Sequence, residues 1–211
     1  MARTDISVCA RALMNLGAAP INSFNTPGDV TTFLRETYPE IKQSIIGAYA
    51  WETFKIQKEL TRTTETPSGF KYAFVSPGDM LGTPIALYWS DQPWVRATSG
   101  FEVRGNRILT NYERVWMAYT GSRPEAEWPA WFAELVMSAV AAEIAFMVTD
   151  QQNVKDHWES KTYGTPSENR LGGLMGQAMT LDAQGSGNNP GIADTAFVDA
   201  RFGAVYPGDQ W

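Results

Sequence analysis

The 211-residue chain holds one histidine, His157, and one cysteine, Cys9, and that scarcity bounds its chemistry. A zincin-type metal site needs two histidines at helical spacing with a glutamate between them, so His157 cannot build one. A serine hydrolase using His157 as base would need its serine on a tight glycine-flanked turn, and no G-x-S-x-G occurs. His157 stands in Asp156-His157-Trp158-Glu159, which reads as a solvated helical histidine between acidic neighbours. Cys9 alone excludes an internal disulfide and any cysteine-built zinc site, and its apolar surroundings read as core. The run Leu171-Gly172-Gly173-Leu174-Met175-Gly176 lacks the Lys-Ser/Thr pair of a phosphate-binding loop and follows no strand, so its small residues suggest close helix packing. Glu125 and Glu127 sit where the dipole at a helix start favours negative charge. Asp150 and Asp156 match no calcium loop. No metal and no cofactor is expected.

Two further residue sets could bind rather than react. Trp89, Trp94, Trp116, Trp128, Trp131 and Trp158 could form a sugar-binding platform, or could be core and interface anchors, the use we favour beside so apolar a helix. Arg104 and Arg107 share one hairpin turn, with Arg96 and Arg114 nearby, and could touch DNA or an acidic partner; a solvated turn is the plainer reading. The net charge of -6 argues against phosphate-backbone binding as the main business of the chain. With 44% apolar and 19% charged residues, the composition is that of a folded domain with a sizeable core.

The elements that must position these residues follow from periodicity. Asp5 to Leu16 carries Ile6, Cys9, Ala10, Leu13 and Leu16 at helical spacing, with Asp5 as N-cap and Gly17 as stop. A second helix starts at the Thr26-Pro27-Gly28-Asp29 turn, and Pro39 should kink or split it. Short strands are expected at Phe70 to Phe74, Ile85 to Trp89, Val95 to Thr98, Phe101 to Val103, Ile108 to Thr110 and Val115 to Tyr119, after a polar loop from Thr61 to Gly69. The third helix opens near Pro124-Glu125-Ala126-Glu127, with Pro129 in its first turn. From Trp131 to Val148 only Glu134 and Glu143 are charged, so this helix must be buried on most sides, by its own domain or by a neighbouring subunit. Its longest apolar run, Leu135 to Val148, falls short of the roughly 20 residues of a membrane span. No signal peptide is read at Met1 to Asp5. Helical sequence continues from Asp150 to Tyr163 and from Ser167 to Leu181.

The fold expected is α+β, mainly α. An adaptor-sized domain, 1–181, consists of a helical bundle (5–50 and 124–181) with a small antiparallel β insertion (51–123). A C-terminal arm, 182–211, begins with a Gly/Asn-rich linker. Its Phe197, Phe202, Tyr206 and Trp211 have no helical period and no core of their own, so they read as contacts to a partner.

Five segments in order resemble the tail tubular protein A, or head-to-tail adaptor, family of short-tailed bacteriophages. They are Ala12-Leu13-Met14-Asn15-Leu16-Gly17-Ala18-Ala19-Pro20-Ile21 with Phe24; Trp51-Glu52-Thr53-Phe54; Tyr72 to Leu81 with Pro77 and Asp79; the Gly105/Leu109/Thr110 hairpin; and Trp128-Pro129-Ala130-Trp131-Phe132 opening an Ala-rich helix. The resemblance spans residues 6 to 160. It implies a non-enzymatic virion protein of the tail or neck, assembled in the host cytoplasm. Twelve copies would form a ring between the portal protein and the distal tail, or nozzle, protein, with no membrane contact. DNA would pass through the lumen without specific binding, and twelve copies at -6 would carry about -72 formal charges. On this reading the β region faces the distal tail proteins, helix three lies near subunit contacts, and the arm holds the portal or a neighbouring subunit. A head-completion or neck protein of a long-tailed phage remains an alternative, as do an aromatic-platform carbohydrate-binding module and a small hydrolase using His157.

Overall fold

The computed structural model describes residues 2–64, 67–91, 98 and 100–185. Among these are five α-helices and two three-stranded antiparallel sheets, an α+β fold that is mainly α. The aromatic residues assigned to the C-terminal arm lie outside the described residues, as do Trp94 and Arg96.

The bundle is built around α3 (Ala130–Thr149). The helix α1 (Asp5–Asn15) lies against it through Val8, Cys9, Ala12 and Leu13. The cap of α1 is Thr4, not Asp5: the Thr4 hydroxyl accepts from the Ser7 amide, and Ser7 Oγ accepts from the Thr4 amide at 2.8 Å. Asp5 instead occupies the first helical turn, where its charge still suits the dipole. The next helix, α2 (Asp29–Gly47), contains Pro39 yet remains one helix. Pro39 removes one backbone donor, but Leu34, Tyr38, Ile45 and Ile46 on either side of it are buried in the same core. Burying four such side chains is worth several kcal/mol, enough to offset roughly 3 kcal/mol for an internal proline.

The strongly apolar α3 is covered by its own chain. Twelve of its residues are buried between α1, α2, α4 (Gln152–Tyr163) and α5 (Gly173–Gly185). By length and composition α3 could cross a membrane, contrary to the shorter run read from sequence, but 67% of its most apolar window is buried inside the protein. A polar fastening crosses that apolar interface: Ser138 Oγ and Thr162 Oγ1 are 2.7 Å apart, and Thr162 also bonds the Trp158 carbonyl. The helix starts later than expected. Pro129 is the N-cap, and Glu125–Glu127 form a separate 3-10 turn before it. It ends at Asp150, whose left-handed φ of 55° reverses the chain into α4.

The Gly172-Gly173 pair serves a turn rather than a helix-packing face. Gly173 has φ +56° and sits against the end of α4, where a Cβ would lie 2.5 Å from the Lys161 carbonyl oxygen. The last helix, α5, runs to Gly185, four residues beyond the expected boundary, so 182–185 belong to the bundle and not to an arm.

Six strands lie between the two halves of the bundle. The first sheet has the order β1 (Lys55–Glu59), β6 (Trp116–Gly121), β3 (Met80–Tyr88). The second has the order β2 (Tyr72–Val75), β5 (Arg107–Thr110), β4 (Phe101–Arg104). Part of the expected Thr-rich loop joins this second sheet: Thr63 donates to the Ala73 carbonyl at 2.8 Å and Val75 to that of Thr61 at 3.0 Å. Thr98, from the expected Val95 to Thr98 strand, bridges Leu87; the rest of that segment lies outside the described residues. The sheets enclose a second core of Leu60, Phe74, Leu87, Ile108, Val115, Met117 and Tyr119. A break in register between Leu81 and Ala86 lets β3 touch the end of α2, where Gly82 (φ +77°) would place a Cβ 3.0 Å from the Gly47 carbonyl oxygen. This contact and the 3-10 turn Glu52–Phe54 join the β region to the bundle.

Candidate functional site

The Tyr72 to Leu81 segment and the Gly105/Leu109/Thr110 hairpin are one physical unit. Tyr72 to Val75 pair with Thr110 to Arg107 residue by residue. Just beyond, the Ser76 amide donates to the Asn106 carbonyl at 3.2 Å. The Pro77-Gly78-Asp79 turn is pinned to β6 by Asp79, whose two carboxylate oxygens accept from the Tyr119 hydroxyl at 3.0 and 3.1 Å. Burial, and then the Asp79 carboxylate, push the Tyr119 hydroxyl up to about 12. The hairpin tip is the two-residue turn Gly105–Asn106, with Arg104 opposite Arg107 in register. These residues hold the β region in shape.

Among the described residues, three arginines of the β region each sit beside a carboxylate. Arg104 bonds Glu102 at 2.9 Å, Arg114 bonds Glu59 at 2.9 Å, and Arg62 lies 3.8 Å from Glu113. Two of these guanidinium groups also lie over rings, Arg62 on Tyr72 and Arg114 on Trp116. All three ion pairs are exposed and contribute little to stability, but they set a carboxylate beside each guanidinium.

Of the six tryptophans weighed as core anchors or a platform, Trp128 and Trp158 are buried and Trp116 and Trp131 half-buried. Trp51, Trp128, Trp131, Phe54 and Tyr49 gather around Phe132, Trp51 or both at ring spacings of 4.5 to 5.8 Å, forming the aromatic end of the bundle core. Trp89, 53% exposed, is the one exposed tryptophan among the described residues. His157 is exposed on α4, its ring edge-on to Trp158. Among the described residues no three His, Cys, Asp or Glu side chains group to hold a metal ion.

Electrostatics elsewhere is concentrated in one half-buried cluster. Glu125 accepts from Lys42 Nζ at 2.8 Å and from the Tyr38 hydroxyl at 3.1 Å. Lys42 also lies 5.4 Å from the centre of the Trp128 ring. Burial opposes ionisation of Glu125, but Lys42 and the other hydrogen bonds outweigh it and hold the carboxyl below its usual range. Burial and the nearby Glu125 push the Tyr38 hydroxyl strongly upward. Glu125 therefore ties the approach to α3 onto α2, rather than only complementing a helix dipole.

Asp182 is the residue the sequence reading missed most completely. It is 3% exposed, and its carboxylate accepts from the amides of Glu52 and Thr53 at 2.7 and 3.0 Å and from Thr53 Oγ1 at 2.7 Å. It thereby satisfies the open amides of the 3-10 turn that starts the β region. Its helical spacing from the buried Met175 and Ala178 was a usable signal.

The surface features of most interest lie on α3. Between its first turns and α1 runs a hollow of about 420 Å³, with Val8, Ala133 and Met137 on its floor and Arg3, Arg11 and Glu134 at its rim. At the other end of α3, Phe146 and Met147 are 48% and 44% exposed, flanked by Glu143 and Asp150. A second hollow, lined by Asp156, Glu159, Tyr163, Thr165 and Arg170, lies beside the α4–α5 turn; there Arg170 covers the Tyr163 ring at 4.1 Å.

No family model matches the chain, and no curated protein matches it.

Proposed function

We propose that the chain is a structural virion protein: a subunit of the head-to-tail adaptor ring that joins a phage portal to the tail nozzle and forms part of the DNA channel. The proposal assigns it no catalysis. The five family-like segments support it in sequence. Three of them, Trp51 to Phe54, Tyr72 to Leu81 and the Gly105 hairpin, supply the β region and its junction with the bundle. The observation that carries the reading furthest is where large apolar side chains remain outside. Phe146, Met147 and Leu171 are exposed on the bundle, and Val75, Trp89 and Val103 on the β region. A chain that meets neighbours through more than one part of its surface needs apolar contacts on each. The carboxylates set beside the β-region arginines suit a protein that lets DNA pass without gripping it.

The test is the mass of the purified full-length protein, alone and mixed with the portal protein of the same virus. A ring of about 280 kDa, as twelve chains of 23.4 kDa would give, or a stable complex with the portal, supports the reading. A monomer indifferent to the portal refutes it.

A further inference from the structure

We propose that the ring closes by a head-to-tail contact in which the Phe146/Met147 end of α3 in one copy enters the α1–α3 hollow of the next; this rests on the ring reading above. The helix α3 has two different surfaces. At about 100° per residue, Ala130, Ala133, Glu134 and Met137 point to one side of the helix. Glu143, Phe146 and Met147 point roughly 140° away and lie roughly 18 Å further along the axis. The middle of the helix, from Leu135 to Ala142, is buried throughout. One rigid element therefore carries a recess near one end and an apolar projection near the other, facing different ways. A contact between two different patches of the same chain is heterologous, and repeated around an axis it generates a ring. A self-complementary pair of identical patches would stop at a dimer.

Charge and shape make the two patches suit each other. The hollow has an apolar floor, Val8, Ala133 and Met137, able to receive Phe146 and Met147. Its rim carries two arginines and one glutamate, one positive charge in net. Arg3 is already turned inward, donating to the Trp128 carbonyl at 2.6 Å. Arg11 is exposed and forms no ion pair among the described residues. The projection carries Glu143 and Asp150, two negative charges, neither of them in an ion pair among the described residues. The carboxyl end of α3 adds the negative pole of the helix to the same surface. Such complementarity fixes register and partner choice more than raw affinity.

Four full-length variants test this: Arg11→Glu, Glu143→Arg, the double charge exchange R11E/E143R, and Phe146→Glu. All three positions are exposed, so the folded monomer tolerates them, as circular dichroism will confirm. Mass is measured under the conditions in which the unaltered chain forms its largest species. Each single charge reversal and F146E should drop the mass from the ring towards 23.4 kDa, and the double exchange should restore the ring. If the unaltered chain forms a ring and all four variants do so equally, this contact is wrong while the ring reading stands. A ring that survives the four variants but is lost in a chain ending at Gly185 gives the closing contact to residues 186–211 and likewise overturns it. An unaltered chain that never assembles, even with the portal, overturns both.

Discussion

Replacing Asp182 with alanine should cost about 3 kcal/mol, because the side chain serves three donors at once. The two backbone amides, of Glu52 and Thr53, have no alternative partner in the 3-10 turn they begin, and the Thr53 hydroxyl points at the same carboxylate. A hydrogen bond to a charged group is worth about 1.5–3 kcal/mol, and a buried donor left unsatisfied costs about 1–3 kcal/mol. The Glu52 side of the turn is exposed, so water can recover part of the loss and the Thr53 hydroxyl can rotate away. The sum settles near 3 kcal/mol rather than at its upper limit. For a protein of this size that lowers the thermal midpoint by about 6–12 °C. Asp182→Asn keeps one acceptor oxygen and should lie between the two. Urea and thermal unfolding, followed by far-ultraviolet circular dichroism and tryptophan fluorescence, read the effect. A fall of under about 2 °C for D182A would show that the cap is not stabilising. The same logic separates two truncations. A chain ending at Gly185 keeps the cap and its stability, whereas one ending at Leu181 loses it and should resemble D182A.

Lys42→Met should destabilise by about 2 kcal/mol at neutral pH, since it leaves the partly buried Glu125 carboxylate without its cation. The low carboxyl pKa of Glu125 contributes stability that is present above the ordinary carboxylate range and is lost as pH falls through the depressed value. The gap between K42M and the unaltered chain should therefore narrow in urea titrations below about pH 4; a gap independent of pH would refute the pairing. Cys9 is fully buried, and burial, with Asp5 and Glu125 nearby, pushes its thiol up to about 12. It should resist a thiol reagent in the native protein at pH 8 and react fully in denaturant, so rapid native labelling would contradict the packing of α1 on α3.

Most of the elements, and their order, were readable from local sequence, although the strand Lys55–Glu59 was not among those expected. The apolar stripe Cys9, Leu13, Leu16 and the Gly17 stop mark α1, and the alternation around the Gly105 turn marks the β4–β5 hairpin, because periodicity and turn chemistry act over a few residues. The long apolar stretch after Pro129 marked a helix needing cover on all sides, but not what supplies that cover. Only the tertiary structure decided that four helices of the same chain do so, because burial depends on where distant segments pack. Pro39 illustrates the same limit: a local rule predicts a broken helix, and a core formed with α3, nearly a hundred residues on, holds it together. Glu125 was legible as an acid at a helix start, whereas Asp182 fell beyond the expected end of the last helix. Their partners, Lys42 across 83 residues and Thr53 across 129, come from long-range contacts that no local pattern records. The two surfaces of α3 have the same origin. Sequence shows a helix apolar all round, and packing alone leaves Phe146 and Met147 outside and opens a recess beside Ala133.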